Sequence, residues 1–305
     1  MDKLQAMRTF VRVVESGSFS AVAKESNTTQ SAVSKQVAAL ENALGAKLLV
    51  RTTRSLALTE EGERYFEQVR RVVAEIAEAE TSLKHGEQQL RGWLRVAASV
   101  GFGRLKLLPL VQTFLAEHPE VKIDVRLDDG FIDLVERGID VAVRIGELPD
   151  SRLIARPIGV SRRELVAHRN YLRRLPKGVK PPKSPEELVR HNCIVYTETS
   201  MRNAWRFSAD TGAIDPEGTV RIVKVEGNLQ TDSSEVIRTS VIAGMGIGYA
   251  PLWLFEDEIA RGEVVRVMPH WSIRSPIHVV TLQERRHSAK VRAFSDHLAQ
   301  GLGAV

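Results

Sequence analysis

A chain of 305 residues with 43% hydrophobic and 27% charged side chains is too long for one small core and suits two or three soluble globular domains. It has no run of 18 apolar residues and no basic, apolar leader, so a membrane span and a secretory signal are set aside and a cytoplasmic protein is expected. The single cysteine, Cys193, rules out a disulfide within one chain, no Cys/His cluster has zinc-ligand spacing, and no metal or other cofactor is expected.

The net charge of +5 is unevenly spread. Up to Leu58, eight basic residues, among them Lys35, Lys47, Arg51 and Arg54, face only Asp2, Glu15, Glu25 and Glu41. From Thr59 to Leu90 the sign reverses, with Glu60, Glu61, Glu63, Glu67, Glu75, Glu78, Glu80 and Glu87 dominating. A basic head followed by an acidic segment fits nucleic-acid binding by the head alone, although ordinary surface charge would look the same.

In chain order, Leu4, Met7, Phe10, Val11 and Val14 recur at helical spacing and Gly17 follows as a stop. Ser18 caps a short second helix through Ala21, Val22 and Ala23. Asn27, Thr28 and Thr29 make a polar turn, and a third helix is predicted from about Gln30 to Leu44, ended by Gly45. Its apolar stripe, Val33, Val37, Leu40 and Leu44, faces the first two helices, which turns Gln30, Ser31, Ser34, Lys35 and Ala38 outward at the end where a recognition helix meets base edges. Gln pairs with adenine at two points, Lys reaches guanine or phosphate, and Ser serves either. The stretch "KLLVRTTRSLALT" then alternates around a bend, presenting Arg51 and Arg54 as a wing. Taken singly, each of these polar residues also suits an ordinary exposed helix.

These pieces, in this order, resemble the LysR-type transcriptional regulators over "FVRVVESGSFSAVAKESNTTQSAVSKQVAALENALGAKLLVRTTRSLALTEEG". The resemblance implies DNA contacts from Gln30, Ser31, Ser34 and Lys35 and from the wing arginines Arg51 and Arg54, with Thr28 and Thr29 flanking the helix start. The chain departs from the family at Ser31, where proline is common, and at Lys35, where arginine is common; lysine lacks the planar fork of arginine and suits a phosphate anchor.

Thr59 opens "TEEG", a helix start with early acids, and the segment runs without proline to about Gln89. Val69, Ile76 and Leu83 are seven apart. A helix of about 30 residues spans roughly 45 Å, and pairing with the same helix of a second chain is the economical way to cover its stripe. A long helix lying on its own chain is the alternative.

Beyond Gly92 strands and helices alternate, as in an α/β unit with a mostly parallel sheet: "WLRVAASV" a strand, "LKLLPLVQTFLAEHP" a helix, "VKIDVRL" a strand, "FIDLVERG" a helix, "IDVAVRIG" a strand. A second such unit follows, and "PIHVVTLQERRHSAKVRAFSDHLAQGL" returns to the first. Two lobes joined by crossing strands resemble the periplasmic-binding-protein fold, the effector domain of the LysR-type family. The expected fold is thus multidomain: a winged helix-turn-helix at 1–58, a linker helix for dimerisation at 59–90, and a two-lobed α/β effector domain at 91–305, with lobe I at 91–161 and 268–305 and lobe II at 162–267.

Ligands in such sheets bind at strand C-terminal ends and helix N-termini. Those places are Ser99, Val100, Gly101, Phe102, Asp128 and Arg144 in the first lobe, and Thr197, Asn203, Trp205, Thr231, Gly246 and Tyr249 in the second. Backbone donors, the Ser99 hydroxyl and Arg144 suit a carboxylate, and Phe102, Trp205 and Tyr249 suit a flat or apolar body, so a small organic anion is expected. Against this, Asp128 repels an anion if it points inward, Trp205 equally suits a core, and Arg144 equally suits an ion pair with Asp128. Enzymatic activity finds no GxSxG elbow, HExxH helix or paired-glycine fingerprint to rest on, and an architectural DNA-binding protein needs neither lobes nor cleft. The expected partners are double-stranded DNA, the effector, further copies of the chain as dimer or tetramer, and RNA polymerase, with no membrane partner.

Overall fold

The computed structural model describes residues 2–51, 56–85, 90–130, 132–148, 153–198, 203–286 and 288–302, with the backbone alone at 51, 71, 75 and 77–85. Two compact units emerge, 1–92 and 93–305.

The first unit opens with helices α1 (Lys3–Ser16), α2 (Phe19–Glu25) and α3 (Gln30–Leu44). Each begins on a side-chain cap: Asp2 accepts from the Gln5 N–H, Ser18 from Ala21 and Thr29 from Ala32. Gly45 ends α3 in the left-handed conformation, φ 67°. Val33, Val37 and Leu40 are buried with Phe10, Val13, Val22 and Leu48 in one core, and Leu44 packs at its edge. The strands β1 (Leu49–Arg51) and β2 (Leu56–Leu58) pair antiparallel as the wing; Arg54 and the Arg51 side chain lie outside the described residues. Helix α4 (Glu60–His85) begins at Thr59, whose hydroxyl accepts from the Gly62 N–H at 2.9 Å and donates to the Lys47 carbonyl at 2.6 Å. Gly62 lets the two segments meet, since a Cβ there would stand 2.0 Å from the Leu48 carbonyl oxygen.

The linker expectation needs one correction. Val69, predicted at the dimer seam, is only 4% exposed within one chain, because α4 lies against α1 and Tyr65 and Phe66 pack on Phe10. Its side chain is therefore already covered and is not a seam residue. Val72 is exposed and Ile76 partly exposed; the Leu83 side chain lies outside the described residues.

Glu41, which the sequence reading counted only as charge, is the tie between α3 and the wing. Its buried carboxylate accepts from the Leu48 and Leu49 N–H at 2.9 and 3.2 Å and from Lys47 Nζ at 2.7 Å. Burial pushes its pKa up, but the Lys47 ammonium and the two amides outweigh burial and hold it below the usual carboxylate value. The stabilisation is therefore fully present above the ordinary glutamate pKa and is lost as pH falls through the depressed value. Glu41→Gln is expected to lower head stability by about 2 kcal/mol at neutral pH, with the difference from the parent shrinking in acid; a gap that stays constant from pH 7 down to pH 3 in denaturant melts would contradict this.

The second unit is built on one sheet in the order β10-β7-β11-β6-β12-β5-β3-β4. Its axis is a long antiparallel pair, β6 (Leu153–His168) and β12 (Val264–Leu282), that crosses between the lobes. On one side of the axis stand β3 (Gly92–Ala98), β4 (Val121–Leu127) and β5 (Val141–Ile145), with β3 and β5 parallel. On the other stand β7 (Cys193–Tyr196), β10 (Leu229–Thr231) and β11 (Ile247–Pro251), with β7 parallel to both neighbours. The hairpin β8 (Ala204–Ala209) and β9 (Val220–Lys224) attaches to β12. Parallel flanks around an antiparallel pair are the two α/β lobes that the alternation implied.

One predicted helix is absent. "FIDLVERG" forms a turn over its described residues, in which the Asp133 carboxylate accepts from the Val135 and Glu136 N–H at 2.8 and 3.0 Å and the chain closes through Arg137 N–H to Asp133 C=O. The Asp133 carboxylate caps this turn as Asp2 caps α1, but Gly138, left-handed at φ 58°, ends it after one turn.

Candidate functional site

In the head, Thr28, Thr29, Gln30, Ser31 and Lys35 are exposed, and Ser34 is partly buried. Thr29 Oγ1 already accepts from the Ala32 N–H at 3.2 Å, so its proton and one lone pair are left for a partner. Burial of Val33 and Val37 on the opposite side fixes the rotation of α3 and turns Gln30, Ser31 and Lys35 outward on its first turns. Gln36, one residue on, instead accepts from the Thr9 hydroxyl at 2.8 Å and locks α3 to α1.

The second unit holds a cavity of about 570 Å³ at the crossing strands, within the range of small-molecule sites. Of the predicted ligand residues, Ser99, Asp128, Arg144, Trp205 and Tyr249 line it. The Ser99 hydroxyl makes no cap bond to the helix it precedes. Arg144 donates to the Ile132 carbonyl at 2.5 Å; burial pushes its pKa down, and the carboxylate acting against this is that of Asp133. Trp205 and Tyr249 are both buried, with ring centroids 5.3 Å apart, and Tyr249 donates to the Arg206 carbonyl at 2.7 Å.

The other predicted residues are not in the lining. Phe102 is 1% exposed and meets Trp253 edge to face at 5.4 Å, so it stands behind the wall and supports Trp253. Gly246 lies against Asn192, whose carbonyl oxygen would be 2.5 Å from a Cβ there. Asn203 is tied to the Val225 carbonyl, and the Thr231 hydroxyl accepts from Ser233. Thr197 joins Thr231 by a main-chain bond.

Val100 and Gly101 are corrected most sharply. The helix Val100–Phe102 runs on through a π-helical turn, Gly103–Leu107, into Leu108–Glu117, and its first amides point at protein. Val100 N–H donates to Asp129 Oδ1 at 3.0 Å and Gly101 N–H to Ser234 Oγ at 3.2 Å. Ser234 begins the helix Ser234–Ile242 of the other lobe, and its N–H and hydroxyl both donate to Asp129, at 2.7 and 2.9 Å. Two helix N-termini from the two lobes thus share one internal carboxylate, in the position an anion would otherwise take. The ion pairs Arg104–Glu235 and Lys106–Glu256, at 3.0 and 2.6 Å, close the same side.

Arg163 and Asp129 were missed. Arg163 sits in "SRRELVAH" of β6, where a basic residue in a strand reads as surface, and only β11 and β12 alongside enclose it. Cys193 is fully buried and burial pushes its thiol up to about 12, which makes it a packing residue with no thiolate to react.

A winged helix-turn-helix with an outward polar recognition face, and a two-lobed α/β unit with a small-molecule cleft, together define a transcriptional regulator with an effector-binding domain. Residues 4–63 match the family model described as bacterial regulatory helix-turn-helix protein, lysR family, and residues 87–303 match the LysR substrate binding domain. The chain belongs to the LysR family. It is 34% identical over 301 residues to the HTH-type transcriptional regulator CrgA of Neisseria meningitidis, covering 98% of this chain and 97% of that one. The solved structure of CrgA aligns over 98% of both chains with a TM-score of 0.61. The HTH-type transcriptional activator TtdR of Escherichia coli is 30% identical over 96% of this chain and 91% of its own. A Pseudomonas aeruginosa transcriptional repressor is 33% identical, over 96% and 90%. No helix among the described residues is long and apolar enough to cross a membrane.

Proposed function

We propose that this LysR-family regulator binds double-stranded DNA sequence-specifically and that a small organic anion in the interlobe cleft modulates the binding. In this reading Gln30 reads a base edge, Ser31 and Ser34 assist, Lys35 anchors a phosphate, Thr28 and Thr29 flank the backbone, and Arg51 and Arg54 clamp it from the wing. The observation that carries the proposal is the division of α3 into a buried stripe through Val33, Val37 and Leu40 and an exposed polar face at its N-terminal end. Two copies join through the exposed remainder of α4, with Val72 and Ile76 at the contact, and effector domains extend the dimer to a tetramer. RNA polymerase is the partner through which occupancy reaches transcription.

The test is a fluorescence-anisotropy titration on DNA flanking the protein's own gene, with each half-site randomised in turn. Gln30→Ala is expected to cost about 1 to 3 kcal/mol and to relax preference at one position per half-site, whereas Lys35→Ala weakens all sequences alike and flattens the salt dependence. Uniform loss in both variants would remove Gln30 as a reader.

A further inference from the structure

We infer that Arg163 is the anion anchor of the cleft and that the ligand is a monocarboxylate, inserted carboxylate first, whose outer end is neutral or cationic. The inference rests on the effector reading above and specifies its chemistry.

Arg163 lies on the crossing strand β6, between Pro251 of β11 and Ile273 of β12, and lines the cavity. Its side chain is partly exposed where it lines that cavity. Among the described residues its side chain has no hydrogen bond and no ion pair, and the Tyr249 ring lies 5.8 Å from the guanidinium carbon. Burial accordingly pushes its pKa down, opposed only by the Tyr249 and Tyr196 hydroxyls. A guanidinium on the cavity wall with no counter-charge among the described residues is an open place for an anion, and a planar carboxylate answers its fork at two points.

The competing anion sites are taken or hydrated. Asp129 already fills both helix N-termini. Arg144 donates to the Ile132 carbonyl, and the Asp133 carboxylate lies near enough to act on its charge. Arg206 is exposed, so water satisfies it. The remaining charges on the lining are acidic: Asp128, Glu147 and Glu198. Asp128 Oδ1 and Glu198 Oε2 lie 3.3 and 3.9 Å from the point where a Gly130 Cβ would stand, and neither has a basic partner among the described residues. A second carboxylate on the ligand would meet these oxygens, while an amide, hydroxyl or amine would not. Trp205 and Tyr249 leave a flat body well placed against the second-lobe wall.

The full-length protein is screened by thermal shift and then calorimetry with a panel of aromatic and aliphatic monocarboxylates, benzoate first, each paired with its neutral amide (benzamide) and a dicarboxylate (phthalate). Monocarboxylates are expected to stabilise the protein at concentrations where their amides and dicarboxylates do not. Arg163→Met should weaken the best monocarboxylate by about 30-fold or more, with Arg163→Lys between the two. The same Arg163→Met protein without ligand should melt no lower than the parent, because the charge removed has no partner among the described residues. A merely structural arginine would lower the melting temperature and leave affinity alone. The inference is overturned if no monocarboxylate stabilises the protein, if benzamide or phthalate analogues bind as well, or if Arg163→Met keeps the parent affinity. Should neutral compounds of the panel bind and shift operator affinity, the regulator reading stands and the anchor alone fails.

Discussion

Replacing Glu164 by glutamine is expected to lower the stability of the second unit by about 3 kcal/mol, a drop of roughly 6 to 12 °C in its melting temperature. Glu164 is fully buried on β6. Arg266 engages both its carboxylate oxygens, at 2.6 and 2.7 Å, and Arg162 pairs with it at 2.7 Å. Arg162 also reaches Asp210, which accepts from the Ser272 hydroxyl at 2.6 Å, so the cluster joins β6, β12 and the end of β8 beside the break in register between Val267 and Ser272. Neutralising the one buried acid leaves two guanidinium groups without their shared partner. The effect stays near the lower end of the range for broken buried pairs because the side chains of Arg162 and Arg266 are 35% and 39% exposed. A calorimetric melt within 1 °C of the parent, at roughly the limit of a significant difference for a unit of this size, would mean that the cluster does not hold the crossing strands.

Asp129→Ala is expected to loosen the lobes and to open the two helix N-termini it now fills to an external anion. Three donors, the Val100 N–H, the Ser234 N–H and the Ser234 hydroxyl, lose their acceptor together. Each charge-assisted bond is worth about 1.5 to 3 kcal/mol, though water recovers part of this at a partly exposed position, and a net loss of about 3 kcal/mol follows. Hydrogen exchange should quicken at Val100 and Ser234, and sulfate should stabilise the variant by a margin it does not give the parent. Unchanged exchange at both amides would show that Asp129 does not clasp the lobes.

The head was legible because its signals are local. The apolar stripe of α3, the Thr29 cap and Gly45 lie within one continuous segment, and their effects do not depend on distant chain. The lobes were legible as alternation, and with them Ser99, Asp128, Arg144, Trp205 and Tyr249, which fall at strand ends and β-rich second-lobe positions. The wall around them was not. Whether Phe102 faces ligand or Trp253 depends on where the segment at 251–255 docks, and a helix N-terminus that looks open in sequence is closed by Asp129, whose other partners lie in the opposite lobe. Arg163 shows the reverse: only the assembly of β11 and β12 around β6 sets a strand arginine on the cavity wall, with no charge partner among the described residues. Val69 failed as a seam residue because seven-residue spacing does not distinguish a partner helix from the chain's own α1.

The claim that cleft occupancy controls DNA binding is tested most directly by thermodynamic linkage. The dissociation constant of the best-binding monocarboxylate is measured by calorimetry on the free full-length protein and again on its operator complex. Reciprocity requires the two constants to differ by the same factor by which that ligand changes operator affinity, about 5- to 150-fold for ordinary coupling. Equal constants, with and without operator, would contradict the account.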